Sequence, residues 1–175
     1  MKGLLIWRLY MVAYKIFCGV VGCEVEDFFN FFKERGLDVS AINAKYVLNR
    51  EILDFAVGKA LKRWYSGERI SRNLGVEIML YLFATRQIRD VIQFGLKERG
   101  MKVYVVVISD RDINEAEFDC VDIVDCEEME TELNEEKLKK FMEIYDINEE
   151  ELEIAGKENF DLLVKEKIVL FDLNK

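Results

Sequence analysis

The run Val103-Tyr104-Val105-Val106-Val107-Ile108-Ser109 decides how this chain folds. It carries four valines and an isoleucine without a single charge. A strand with one wet face alternates apolar and polar residues. A run that is apolar at every position is buried on both faces, which predicts a central strand. Upstream, Leu4–Tyr10, Lys15–Cys23 and Val39–Ala44 read as further strands, rich in β-branched and aromatic residues. Between the last two, residues 24–35 read as a helix, with Val25, Phe28, Phe29 and Phe32 at helical spacing and Gly36 as its stop.

Three helical segments, roughly 49–66, 73–84 and 86–99, fill the space before the central run. After it the chain turns acidic. Glu127–Glu136 is a charge run with little to bury, read as a solvated loop or helix start. Asn134–Tyr145, Asn148–Ala155 and Glu158–Lys167 read as helices, and Ile168–Leu173 is apolar except for Asp172. No linker or internal repeat interrupts the series. The expectation is a single α+β domain over residues 1–175, a small mixed β-sheet packed against several α-helices.

Composition excludes several chemistries. The 175 residues are 51% apolar and 34% charged, the balance of a well-cored domain. The longest uncharged runs, Ile16–Cys23 and Ile78–Thr85, have eight residues, whereas a membrane span needs about 20. Gly3–Trp7 is too short for a signal-peptide core, so the expected location is the cytoplasm. With no histidine, imidazole catalysis, Ser-His-Asp triads and His-ligated metals are absent. Cys18, Cys23, Cys120 and Cys126 show C-x4-C and C-x5-C spacing rather than zinc-ribbon knuckles. They read first as small buried hydrophobes with inert thiols, a disulfide or metal site being the lesser alternative, and the sequence supports no metal or cofactor claim.

Charge is segregated. Residues 45–102 hold twelve Lys/Arg against six Asp/Glu, and residues 103–175 hold eight against twenty-three, in a chain of net charge −9. A basic block on an acidic protein points to a polyanion, because phosphate neutralisation supplies most non-specific nucleic-acid affinity. Within the block, Asn49 caps the helix from Arg50, and Gly67 ends it. Lys59, Lys62 and Arg63 share one face of that helix, with no acid between Asp54 and Glu68. The plainer alternative is a solvated basic face near a helix C-terminus.

The connection Ser66–Asn73 adds Arg69 and Arg72. The helix after it, Leu74–Ala84, is apolar on nearly every side, with Glu77 as its only charge, so it is buried or covered by a partner. Thr85 then reads as the N-cap of a helix whose first turn carries Arg86 and Arg89. The helix dipole disfavours cations there unless an anion joins them.

The segments Ile42-Asn43-Ala44, Asn73-Leu74-Gly75-Val76-Glu77-Ile78-Met79-Leu80-Tyr81-Leu82 and Arg86-Gln87-Ile88 resemble the PRPK-binding-protein (TPRKB-like) subunit of the KEOPS complex, in its archaeal form. Glu166-Lys167-Ile168-Val169-Leu170 resembles that family's closing stretch. The likeness spans residues 1–110 and again about 155–175. One difference is local: the family usually has Ser-Gly where this chain has Phe83-Ala84.

The resemblance implies a non-catalytic subunit that binds the N-terminal lobe of a small atypical kinase/ATPase and supports its activity. The assembled complex makes N6-threonylcarbamoyladenosine beside the anticodon of tRNA, and archaeal members bind the single-stranded 3′ CCA end. On that expectation Lys59, Lys62, Arg63, Arg69, Arg72, Arg86 and Arg89 meet RNA phosphates, and Trp64 or Tyr81 stacks a base. The apolar end Val169, Leu170, Phe171 and Leu173 reads as a last strand or as the kinase contact. A competing enzyme reading starts from Asp110-Arg111-Asp112, two acids at a strand's end that can hold Mg²⁺ for phosphoryl transfer. Dehalogenase-like phosphatases want Thr where Asn114 stands, and no phosphate-binding glycine loop follows.

Overall fold

A computed structural model describes residues 12–114 and 117–174. Its elements are β1 (Ala13–Val21), α1 (Val25–Glu34), β2 (Asp38–Asn43), α2 (Arg50–Ser66), α3 (Leu74–Leu82), α4 (Ile88–Ile92), β3 (Lys102–Ser109), β4 (Val121–Val124), α5 (Cys126–Met129), α6 (Glu135–Tyr145), α7 (Glu149–Ala155) and α8 (Phe160–Leu173). The sheet order is β2-β3-β1-β4, so the valine-rich run lies inside it. Every residue of β3 after Lys102 is buried.

The two-residue period of β3 divides the core. Val103, Val105 and Val107 pack with Phe17, Phe28 and Phe32 under α1. Tyr104, Val106 and Ile108 pack into the larger core with residues of α2, α3, α6 and α8. The α+β domain is as read from the sequence, but among the described residues the sheet is antiparallel throughout rather than mixed. Each of its three pairings is antiparallel. β1, α1 and β2 form a strand–helix–strand unit whose two parallel strands are separated by β3, so no parallel pair is hydrogen-bonded.

Other expectations are corrected. The expected strand Leu4–Tyr10 lies outside the described residues. The helix expected over 86–99 covers only Ile88–Ile92. Beyond it the backbone is claimed by the sheet edge: Asn43 donates to the Phe94 carbonyl (2.9 Å) and Leu96 to that of Ala41 (3.1 Å). Ile168–Leu173 is not a strand. It completes α8, whose buried Phe160, Leu163, Val164 and Ile168 form one helical stripe. The acidic stretch also contains a short strand, β4, which pairs with β1. The charge run from Glu127 begins with one helical turn, α5.

The cysteines are not free thiols. Cys18 is bonded to Cys126 and Cys23 to Cys120, with Cα atoms 5.1 and 5.5 Å apart. Both bridges fasten the β4–α5 flank to β1 and the turn after it. Spacing along the chain carried no sign of this, because each bond joins residues about a hundred positions apart.

Helix α3 is where the fold bears on function. Every residue of it but Val76 is buried, so its all-round apolar surface is covered from within the chain. Gly75 makes the close approach possible: a Cβ there would lie 2.1 Å from the Val39 carbonyl oxygen of β2. The helix ends with the Thr85 N–H on the Leu80 carbonyl (3.1 Å) and that of Ala84 on Tyr81 (3.2 Å). This is a Schellman closure, and Ala84 occupies its left-handed position at φ 49°.

Candidate nucleic-acid interface

The basic block is assembled by three elements. Helix α2 starts at Asn49, whose Oδ1 accepts the Ile52 N–H (2.9 Å), and ends at Gly67 with φ 83°. Its buried residues, Ile52, Leu53, Ala56, Val57, Ala60 and Leu61, fix its rotation. Lys59 and Arg63, one turn apart on α2, both meet α8. The connection that follows is held by the lone acid of α3: the buried Glu77 carboxylate accepts the N–H groups of Ile70 (3.0 Å) and Ser71 (2.7 Å). That bond sets where Arg69 and Arg72 leave the backbone.

From the other end of the chain, α8 brings Phe171 and Asp172. Arg63 Nε–H donates to Asp172 Oδ1 (2.6 Å), and a second guanidinium nitrogen donates to the Asp172 backbone carbonyl (3.3 Å). Arg63 is also paired with Glu68. Lys59 Nζ lies 3.8 Å from the other Asp172 oxygen. The bond to Asp172, reinforced by Glu68, holds the Arg63 guanidinium above its already high range. The Tyr81 hydroxyl donates to Asp172 Oδ1 at 3.4 Å. Burial first, then the charges of Asp172 and Glu77, push the Tyr81 phenol up to about 12.

These side chains line a groove of about 330 Å³, with Arg63, Arg69 and Arg86 around Tyr81, Phe171 and Asp172. The Arg86 guanidinium stands 5.6 Å from the Phe171 ring centre and donates to the Asn174 carbonyl (2.5 Å). The Arg69 guanidinium stands 4.8 Å from the Trp64 ring centre. With Lys59 at its border, four cations face two carboxylates, Glu68 and Asp172. The arrangement can receive an anion flanked by an aromatic surface.

The structure thus brings together Lys59, Arg63, Arg69 and Arg86. Lys62, Arg72 and Arg89 are exposed and do not line the groove. Two local expectations change. Tyr81 is only 3% exposed and meets Phe171 edge to face at 5.1 Å, so no base can stack on it. Trp64 is half-buried and already faces Arg69. The helix start expected at Arg86 is displaced, because the Thr85 hydroxyl accepts the Gln87 N–H (3.2 Å) and α4 begins only at Ile88. Arg86 and Arg89 therefore do not converge on one helix terminus.

Asp172 is the site residue that sequence reasoning missed, and Phe171 was expected among the kinase-contact residues and not as a wall of this groove. The available signal was a single acid in an otherwise apolar terminal stretch. Of the apolar four, Leu170 and Leu173 are exposed at the end of α8, Val169 is half-buried, and Phe171 turns into the groove. Asp110 and Asp112 are exposed in the turn after β3. Among the described residues, no group of three acids or cysteines is placed to hold a metal ion. No helix there is long and apolar enough to cross a membrane.

The model of the family described as kinase binding protein CGI-121 matches residues 30–170, most of the chain. No curated protein matches it.

Proposed function

The chain belongs to the CGI-121 family of kinase binding proteins, and from that premise we propose that it is a non-catalytic subunit that both supports a small atypical kinase/ATPase and binds tRNA. The kinase is its protein partner, and the single-stranded 3′ CCA end of tRNA is its nucleic-acid partner. The product of the assembly is N6-threonylcarbamoyladenosine in tRNA, made in the cytoplasm. No small-molecule substrate or membrane takes part.

The observation that carries the RNA half is the groove between α2 and α8. An unpaired RNA end exposes both phosphates and base faces. The groove offers guanidinium groups for the first and the partly open Phe171 ring for the second. The exposed Leu170 and Leu173, which flank Phe171 and Asp172 on the same helix, with Val169 beside them, form the surface proposed for the kinase. Both partners then sit on α8, so RNA is held next to the kinase.

Titration of tRNA with and without its terminal CCA tests this reading. Removing the CCA is expected to abolish most affinity. Lys59→Glu and Arg86→Glu are each expected to weaken binding about tenfold at moderate salt and to flatten the salt dependence by about one unit of slope. Unchanged affinity in both variants would reject the RNA contact.

A second reading rests on the pairing of Arg63 and Lys59 with Asp172. If those cations serve the fold alone, the chain is a kinase-binding regulatory module without RNA contact. It then co-purifies with the kinase and shows a flat salt response toward tRNA. The phosphohydrolase reading predicts Mg²⁺-dependent turnover lost in Asp110→Ala.

A further inference from the structure

We propose that the groove along the outer edge of β2 is a docking site for an extended, acid-flanked apolar segment of a protein partner. The groove has no lining residue in common with the cationic one, and the inference does not depend on the RNA reading.

Among the described residues β2 is an edge strand. Backbone groups of alternate strand residues point to the same side. Ala41 and Asn43 use their outward groups to bond Leu96 and Phe94, so those of Val39 point outward as well. The Val39 carbonyl abuts Gly75. Its N–H has no hydrogen-bond partner among the described residues. An open donor on a strand edge is a template for another strand.

A groove of about 700 Å³ opens along this edge, with Val39 among its lining residues. Phe29 of α1 and Ile92 of α4 line it, exposed by 39% and 49%, and Met79 and Leu96 add to its apolar lining. These are two of the few large hydrophobic side chains left in water. Lys33 and Lys97 outnumber the lone acid Asp38, so the lining is net positive.

The three features select one occupant. An extended segment has free backbone carbonyls, and one of them can accept the Val39 N–H. A helix spends its carbonyls internally and cannot. Apolar side chains of the segment fill the space between Phe29 and Ile92, and a flanking Asp or Glu meets the lysines. Bare nucleic acid would gain little from these apolar walls.

The test selects peptides from a phage-displayed library of random dodecamers against the full chain, then measures the enriched peptides by fluorescence polarisation. The expected consensus alternates apolar residues and carries Asp or Glu at one end. Val39→Pro removes the outward donor without touching the β3 ladder and should weaken binding at least tenfold. Ile92→Glu, a surface change that the fold tolerates, should do the same. Lys33→Glu with Lys97→Glu should reverse the preference from acid-flanked to Lys-flanked peptides. If Val39→Pro does not fold, the other two variants decide. tRNA affinity should be unchanged in all of them, which separates this site from the RNA groove. No enrichment above background, or enriched peptides that bind Ile92→Glu and the lysine double variant as tightly as the parent, overturns the proposal.

Discussion

Arg63 and Asp172, 109 positions apart, are joined by the 2.6 Å bond from Nε to Oδ1, with Lys59 and the Tyr81 hydroxyl directed at the same carboxylate. Asp172 therefore occupies the place where an incoming phosphate would sit among the cations of α2. The acid assembles the groove and, on the RNA-binding proposal, also competes for it. Asp172→Asn is expected to raise tRNA affinity about fivefold, the worth of roughly 1 kcal/mol for one freed charge-assisted contact. The same variant should melt at a lower temperature, since α8 loses its ion pair to α2. Parallel tRNA titrations and thermal melts check both signs; weaker RNA binding would show that Asp172 only builds the site.

Glu77 is the reason that the connection carrying Arg69 and Arg72 has a fixed path. Glu77→Ala leaves the Ile70 and Ser71 N–H groups without their acceptor and opens a cavity under them. The expected loss is about 3 kcal/mol in urea unfolding. Faster hydrogen exchange at those two amides should accompany it, while β3 amides stay protected.

Ala84 holds a backbone conformation that suits glycine. Ala84→Gly relieves the left-handed strain and is expected to stabilise the chain by about 0.5–1 kcal/mol, net of the added freedom of the unfolded state. A lower midpoint in denaturant would contradict the Schellman geometry at the end of α3.

Two glycines in helices should respond in opposite directions. Gly75→Ala drives a methyl group into the Val39 carbonyl and should cost roughly 2–3 kcal/mol. Gly58→Ala, in the middle of α2 with nothing within 4 Å of the added methyl, should gain about 0.8 kcal/mol from helix propensity. Chemical denaturation of the two single variants gives the comparison directly.

The disulfides should act non-additively. Each alone closes a loop of about a hundred residues, but once one is present the other closes only the short segments 18–23 and 120–126. Loop entropy then gives a loss of roughly 3 kcal/mol for either Cys→Ser pair variant and roughly 7 kcal/mol for both together. Thiol titration of the unfolded, unreduced protein should find no free cysteine. Four reactive thiols in that assay would refute both bridges.

Much of the local structure was legible in the sequence. The valine run specified a central strand because no alternation was left for a wet face. Asn49, Gly36 and Gly67 marked helix ends through chemistry carried by single residues. The cluster Lys59–Arg63 was visible as a cationic face because helical periodicity alone places those residues together. The family likeness lay in the same stretch, around α3.

The tertiary structure decided what those residues meet. Asp172 neutralises Arg63 from the far end of the chain, and Phe171 supplies the aromatic wall, although nothing local announces either contact. The helix expected over 86–99 stops at Ile92 because an edge strand needed partners for Ala41 and Asn43, and long-range backbone pairing outweighed local propensity. The last apolar run became helix rather than strand because the stripe from Phe160 to Ile168 had a core to enter. Spacing and capping act within a few residues of chain, so the sequence alone determined where most elements lie and which faces of them are buried. Charge pairing, disulfides and edge pairing act between residues a hundred positions apart, and only the fold decides those.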